Sequence, residues 1–297
     1  MTDPKMMAKI RNGNGFIAAL DQSGGSTPGA LKGYGIGADG YSNDEEMYSR
    51  IHEMRSRIIT SPSFSGEKVV GAILFEKTMD GQAGGKPVPQ ALWERGVVPF
   101  LKVDKGLEEE SDGVRLMKPM PDLDALLERG VKAGIFGTKM RSVIDRASPT
   151  GIAAIVLQQF EVAEQISRHG LVPIIEPEVS INIADRAEAE AILLAELTRA
   201  LDALPEDSKV MLKLTLPAEA NLYAPLTEHP RVARVVALSG GFSRQDACQK
   251  LARNQGMIAS FSRALLSDLR ADQDDQEFDR VLGSAIDEIY QASTSKS

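Results

Sequence analysis

The sequence predicts a single α/β domain, a (β/α)8 TIM barrel occupying residues 1–297. Three observations predict it. Eight short apolar runs rich in β-branched residues recur along the chain, and amphipathic helical stretches separate them. No Pro/Gly/Ser-rich linker or internal repeat divides the chain. A chain of 297 residues is long for one core, yet α/β barrels hold roughly 250 residues around one. A doubly wound open sheet shares the same alternation and is the competing topology.

The elements follow in order. The first run, Phe16 to Asp21, leads into the longest connection, Gly24 to Lys68, which predicts its own helix around Asp44 to Ile59. This helical insertion after strand one reads either as a lid or as padding. The second and third runs are Val69 to Phe75 and Val98 to Asp104. Leu123, Leu126, Leu127 and Val131 then recur at helical spacing up to Gly134, a residue suited to the left-handed turn that ends a helix. The fourth and fifth runs are Ile135 to Arg141 and Leu171 to Glu178. Asp185 reads as the N-cap of a helix carrying Leu193, Leu197, Leu201 and Leu204 before Pro205. Runs six and seven are Val210 to Leu216 and Val232 to Ser239. Ser243 to Asp246 resembles a capping box, opening a helix that Gly256 closes. The eighth run is Met257 to Arg263, and a C-terminal helix carries Phe278, Val281, Leu282, Ile286 and Ile289. The short polar tail, Ser293 to Ser297, is expected to fray.

Composition narrows the function. With 42% hydrophobic and 26% charged residues the chain can bury a core, which excludes disorder as its main state. Lys plus Arg number 34 against 42 Asp plus Glu, a net charge of -8, so the surface repels nucleic acid and anionic membranes and neither is an expected partner. One cysteine, Cys248, fits a reducing compartment, and the N-terminal residues lack the apolar run of a secretory signal. No stretch approaches the roughly 18 apolar residues of a membrane span. The expectation is a soluble cytoplasmic protein acting on a small molecule. A homo-oligomer is compatible with the sequence, whose motifs do not disclose an interface.

The chemistry is carried by ionisable residues inside apolar strands. Lys102, Lys139, Glu176 and Lys213 follow one another at intervals of 37 residues. One strand-helix unit per interval predicts similar heights on consecutive strands, with Asp21 and Arg263 joining from the first and last. In a barrel the C-terminal strand ends converge on the active site. A structural ion-pair network is the competing explanation, but it accounts poorly for six charged groups on one rim. Three lysines against one or two carboxylates make a cationic pocket suited to a phosphorylated metabolite. Crowded cations in a desolvated site also favour a neutral amine, able to attack a carbonyl and form an imine. Lys213, flanked by apolar residues, is the first candidate for it. Glu176 is placed to shuttle protons and Asp21 to accept one from a substrate hydroxyl. Ser239-Gly240-Gly241, before a predicted helix start, and Arg263 suit a phosphate, and the segment Asp21 to Ser26 suits a second one or forms a flexible loop.

Other matches are discounted. Gly35 to Gly40 fits a dinucleotide-binding glycine pattern, but no apolar strand precedes it. His52, His169 and His229 fall outside the strand ends, which disfavours a His-rich metal site. Cys248 reads as core, and Glu108 to Glu110 as a solvated face.

Together these segments resemble the class I, Schiff-base fructose-bisphosphate aldolases, especially the shorter bacterial type. The segments are Leu20-Asp21-Gln22-Ser23, Leu101 to Gly106, Thr138-Lys139-Met140-Arg141, Ile175-Glu176-Pro177-Glu178, Leu212-Lys213-Leu214, Leu238 to Gly241 and Phe261-Ser262-Arg263. The resemblance implies that Lys213 forms the imine, Glu176 is the acid/base residue for carbinolamine dehydration and Lys139 its cationic partner, while Asp21 takes the C4 hydroxyl proton. It implies a ketone-side phosphate at Ser239, Gly240, Gly241 and Arg263, the other phosphate at Lys102, Ser23 and Ser26, and support from Arg141. The implied reaction is reversible cleavage of fructose 1,6-bisphosphate to dihydroxyacetone phosphate and glyceraldehyde 3-phosphate in glycolysis or gluconeogenesis, with no metal or organic cofactor. Two departures from the animal pattern stand out. Gln22 replaces an acid, and the chain lacks the terminal tyrosine, Tyr290 being its nearest aromatic residue. The alternatives are a sugar-phosphate lyase or isomerase without an imine, and an inactive phosphosugar-binding barrel.

Overall fold

In the computed structural model, which describes residues 3–297, all eight predicted runs form strands. They are β1 (Phe16–Leu20), β2 (Val69–Leu74), β3 (Val98–Lys102), β4 (Gly137–Ile144), β5 (Val172–Val179), β6 (Val210–Thr215), β7 (Val232–Leu238) and β8 (Met257–Ala259). Each pairs in parallel with the next. The Ala19 N–H donates to the Phe261 carbonyl at 3.1 Å, tying the end of the sheet to its beginning. Eight parallel strands thus form a nearly closed (β/α)8 barrel rather than an open doubly wound sheet. The eighth strand ends at Ala259, so Arg263 opens a short helix, Arg263–Leu266, instead of ending the strand.

The main helices are α1 (Pro4–Asn12), α2 (Asp44–Thr60), α3 (Val88–Glu94), α4 (Leu123–Ala133), α5 (Pro149–Arg168), α6 (Arg186–Asp202), α7 (Arg244–Ala252) and α8 (Asp275–Thr294), and further helical segments include Thr27–Gly33 in the first connection. Asn43 caps α2 through a 3.0 Å bond from the Glu46 N–H, and Gly134 ends α4 at φ 85. Asp185 does not cap α6 with its side chain, which accepts instead from the Ala147 N–H at 2.8 Å. Helix α7 stops at Ala252, ahead of Gly256. Two small antiparallel features, Gln82–Ala83 with Lys86–Pro87 and Val114–Arg115 on β4, add to the plan. Among the described residues no helix is long and apolar enough to cross a membrane.

Strand alternation divides the core. One set of strand residues, Leu101, Ile175, Leu212 and Leu214 among them, packs under the helices. The other set points into the barrel, where Ile17, Phe100, Ile174 and Met211 pack against Met6 and Ile10 of α1. Helix α1 therefore forms an apolar floor beneath the strands' N-terminal ends. Asp3 fixes its start, accepting from the Lys5 and Met6 N–H groups at 2.8 and 3.1 Å.

The expectation of a frayed tail is corrected. The Ser293 hydroxyl donates to the Ile289 carbonyl and accepts from the Ala259 N–H, at 2.8 and 3.1 Å. Lys296 Nζ donates to the carbonyls of Leu251, Met257 and Ala292 at 3.1, 2.6 and 3.0 Å. The three donors of the ammonium each meet a main-chain carbonyl, two near helix ends and one on β8. The tail is docked beside the start of β8, away from the C-terminal strand ends.

Candidate active site

Two residues above the apolar floor, the inward face of the strands turns charged. Phe100 is followed by Lys102, Ile174 by Glu176 and Met211 by Lys213, each two positions on and hence on the same face. The six charged groups singled out in the sequence, Asp21, Lys102, Lys139, Glu176, Lys213 and Arg263, all line one cavity of about 1080 Å³ at the C-terminal strand ends. Arg141, Ser23, Ser26, Ser239 and Gly240 line it as well, and Gly241 lies at its edge beside the Arg263 guanidinium. Equal spacing does not give fully equal heights. Lys102 lies opposite Lys139 in the ladder, whereas Lys139 lies opposite Ile174 and Glu176 opposite Arg141. Strand stagger in the barrel accounts for this step.

A chain of buried ion pairs crosses the centre. Lys213 Nζ lies 3.0 Å from Glu176 Oε1, Lys139 Nζ lies 3.1 Å from Glu176 Oε2, and Lys139 Nζ is 2.7 Å from Asp21 Oδ2. The Lys213 and Glu176 side chains are only 5% and 4% exposed, so little water screens them. Burial would raise the Asp21 pKa, but Lys139, Lys213 and Lys102 outweigh it and hold the carboxyl well below its ordinary range. Burial would likewise depress Lys139, but Asp21, Glu176 and Asp104 more than offset this and keep it firmly an ammonium. Lys139 thus stands among three carboxylates, whereas Glu176 is the one carboxylate within ion-pair distance of Lys213 among the described residues.

The backbone opens to make this room. The β5–β6 ladder pairs Ile174 with Met211 and Ile175 with Leu212 and then stops, at the level of Glu176 and Lys213. Side chains replace the missing bonds. Gln159 of α5 accepts from the Glu176 N–H at 2.8 Å and donates to the Ser142 hydroxyl at 3.0 Å. The Thr215 hydroxyl donates to the Val179 carbonyl and accepts from the Val179 N–H, at 2.8 and 2.9 Å. Replacing Thr215 by valine leaves both groups unpaired, with an expected cost of about 1–3 kcal/mol in urea unfolding. An unchanged midpoint would contradict this account.

The Ser239–Gly241 loop turns at Gly240 and Gly241, with φ 61 and 113, conformations that favour glycine. Helix α7 follows, its first turn capped by Ser243, which accepts from the Asp246 N–H at 3.1 Å. Among the described residues no acceptor meets the N–H groups of Gly240 and Gly241. The arrangement suits an anion.

Several site residues escaped the sequence reading. Asp104 lies between Lys102, at 2.7 Å, and Lys139, at 3.9 Å, and its Oδ2 has no hydrogen-bond partner. Its place two residues after Lys102, at strand period, was the available signal. Ser260, two after Ile258, turns a buried, unpartnered hydroxyl to the cavity. Glu178 binds Arg141. Arg55 is fully buried on the apolar stripe of α2, donating to the Gln22 carbonyl and Oε1 and, at 2.8 Å, to Thr78. Burial lowers its pKa to about 10, opposed by the charge of Asp21. Gln22 thus meets a buried guanidinium that has no carboxylate in direct contact among the described residues. The discounted groups lie elsewhere. His52, His169 and His229 bond to Gln82, Asp124 and Asp202, and burial pushes the Cys248 thiol up to about 12.

Comparison with known proteins agrees with this architecture. The fructose-bisphosphate aldolase class-I family model matches residues 5–222, a span that contains Asp21, Lys102, Lys139, Glu176 and Lys213. A Plasmodium falciparum fructose-bisphosphate aldolase, solved with TRAP and a small-molecule inhibitor, superimposes with a TM-score of 0.76 at 21% identity, over 98% of this chain and 94% of that one. A Corynebacterium glutamicum protein superimposes with a TM-score of 0.54 at 16% identity, over 98% and 92%. These two similarities concern the fold, while the family match extends over most of the sequence. The chain belongs to the class-I fructose-bisphosphate aldolase family.

Proposed function

We propose that this chain cleaves fructose 1,6-bisphosphate reversibly, through an imine on Lys213, without a metal or organic cofactor. The observation that carries the reading is the buried row Lys213–Glu176–Lys139–Asp21, with its contacts of 3.0, 3.1 and 2.7 Å. The Lys213 amine adds to the ketone carbon, and Glu176 donates a proton to the departing hydroxyl, which leaves as water. Asp21, held ionised, accepts the C4 hydroxyl proton while the C3–C4 bond breaks. Its electron pair enters the iminium to give an enamine, and the aldehyde departs. Protonation at C3 and hydrolysis then return the ketone product and the free lysine. Lys139 keeps Asp21 and Glu176 at their posts. In this reading Ser239, Gly240, Gly241 and Arg263 hold the ketone-side phosphate, and Lys102, Ser23, Ser26 and Arg141 border the aldehyde half.

The test is borohydride reduction with dihydroxyacetone phosphate in the presence of a chelator, followed by mass mapping. An adduct confined to the Lys213 peptide is expected. Ligand binding without an adduct would replace this reading with an electrostatic lyase or a binding barrel.

A further inference from the structure

One fully buried cation, Arg55 of α2, neither lines the cavity nor bonds to a carboxylate among the described residues. Taking a guanidinium out of water without an anionic partner is costly, and its Nε lacks an acceptor as well. The neighbouring α2 residues Ile51, Met54 and Ile58 are apolar core, so packing alone would favour another such side chain here.

The bonds that Arg55 makes supply a different reason. One arm donates to the Thr78 hydroxyl at 2.8 Å, in the helical segment Glu76–Met79 that follows β2. The other donates to the Gln22 carbonyl and, at 3.2 Å, to Gln22 Oε1. The Gln22 amide continues the line, its Nε2 donating to the Ala19 carbonyl at 3.1 Å and to the Ser262 hydroxyl, past the end of β8. One guanidinium and one amide thus tie the connections after β1, β2 and β8 across the seam where the barrel closes. The ladder gives no hold at that level, because β1 pairs with β2 only as far as Leu20 and Leu74, and β8 ends at Ala259. Asp21 is the first residue beyond the ladder, and Gln22 is next to it. A group that takes a proton as a bond breaks needs close placement, and an error of about 1 Å costs about 10²-fold in rate.

We propose that Arg55 is a positioning residue for carbon–carbon cleavage: through Gln22 it fixes the chain just past β1 and so holds the Asp21 carboxylate where it takes the substrate's proton. The proposal rests on the Lys213 reading and deepens it, making the helix inserted after β1 a strut of the site. Imine formation uses Lys213 and Glu176, whose 3.0 Å contact joins β5 and β6 and involves no member of the strut. Loss of the strut therefore separates two steps that a general loss of structure would lower together.

The test takes Arg55→Met, Gln22→Met and the double variant, and measures fructose 1,6-bisphosphate cleavage per site that borohydride traps at saturating dihydroxyacetone phosphate. Counting trapped sites removes any unfolded fraction. Arg55→Met is expected to trap at a rate within about threefold of normal, while cleavage per trapped site falls at least about tenfold. Gln22→Met should behave alike. The double variant should lie no more than about threefold below the worse single, because both substitutions break one line of bonds. A fall of less than about tenfold in Arg55→Met would overturn the proposal, and the normal adduct would leave the imine reading standing. Multiplied losses in the double variant would overturn it too. If Arg55→Met yields no folded protein, Gln22→Met decides by the same ratio. Absence of an adduct in the unaltered protein would overturn the Lys213 reading, and the proposal with it.

Discussion

Lys213→Ala is expected to lower aldol cleavage by at least about 10⁴-fold and to abolish the borohydride adduct. No neighbouring amine can stand in. Lys139 is fixed as an ammonium by Asp21, Glu176 and Asp104, and Lys102 is bound twice to Asp104. The chain should stay folded, because Leu212 and Leu214, which pack under the helices, are untouched, and Glu176 keeps its 3.1 Å contact with Lys139. A stability loss below about 3 kcal/mol in urea unfolding is expected, since the carboxylate retains one cation. Lys213→Arg should be equally inactive, because a guanidinium keeps the charge but forms no imine. A folded Lys213→Ala protein with more than about a hundredth of normal turnover would exclude Lys213 as the nucleophile.

The second large effect is on folding. Lys139→Met removes the one cation shared by Asp21, Glu176 and Asp104, in a position only 4% exposed. Removing one partner from a buried ion pair costs about 3–5 kcal/mol, and turnover should also fall by about 10²–10³-fold as Asp21 and Glu176 lose their positions. The pH dependence has a definite sign. Asp21 has a depressed pKa in the folded chain, so its contribution is present above the ordinary value of 3.8 and is lost as pH falls through the folded value. Lys139 has a raised pKa, so its contribution is complete below the ordinary value of 10.5 and is lost only as pH climbs through the folded value. Between these limits the normal protein keeps both contributions. In the variant Asp21 loses its nearest cation and protonates more readily when folded. The stability gap between the two proteins should therefore narrow as pH is lowered from 7 towards 4. Urea midpoints at several pH values measure this, and a constant gap would refute the shared-cation account.

The strands and the charged ring were legible because they obey simple periods. Two-residue alternation set Lys102, Glu176 and Lys213 on the same faces as Phe100, Ile174 and Met211, and one strand-helix unit recurs at nearly constant length. The heights were less legible, since stagger between β4 and β5 depends on barrel closure rather than on either strand alone. Arg55 and Gln159 were hidden for a related reason. Each lies on a helix, and only tertiary packing brings them to Gln22 and Glu176. The tail misled because its polarity suggested solvent, whereas Lys296 finds three carbonyls supplied by α7, β8 and α8. Arg263 lies beyond β8 rather than at its end, yet reaches the cavity because a short helix begins there.

The apolar floor beneath the charged ring dictates traffic. With Met6 and Ile10 packed inside the barrel below the charged ring, whatever the cavity holds enters and leaves by the C-terminal strand ends. In the proposed reading the ketone half stays tethered to Lys213 until the imine is hydrolysed. Departure is then a queue, aldehyde first and ketone last, and in the synthetic direction the ketone must enter before the aldehyde.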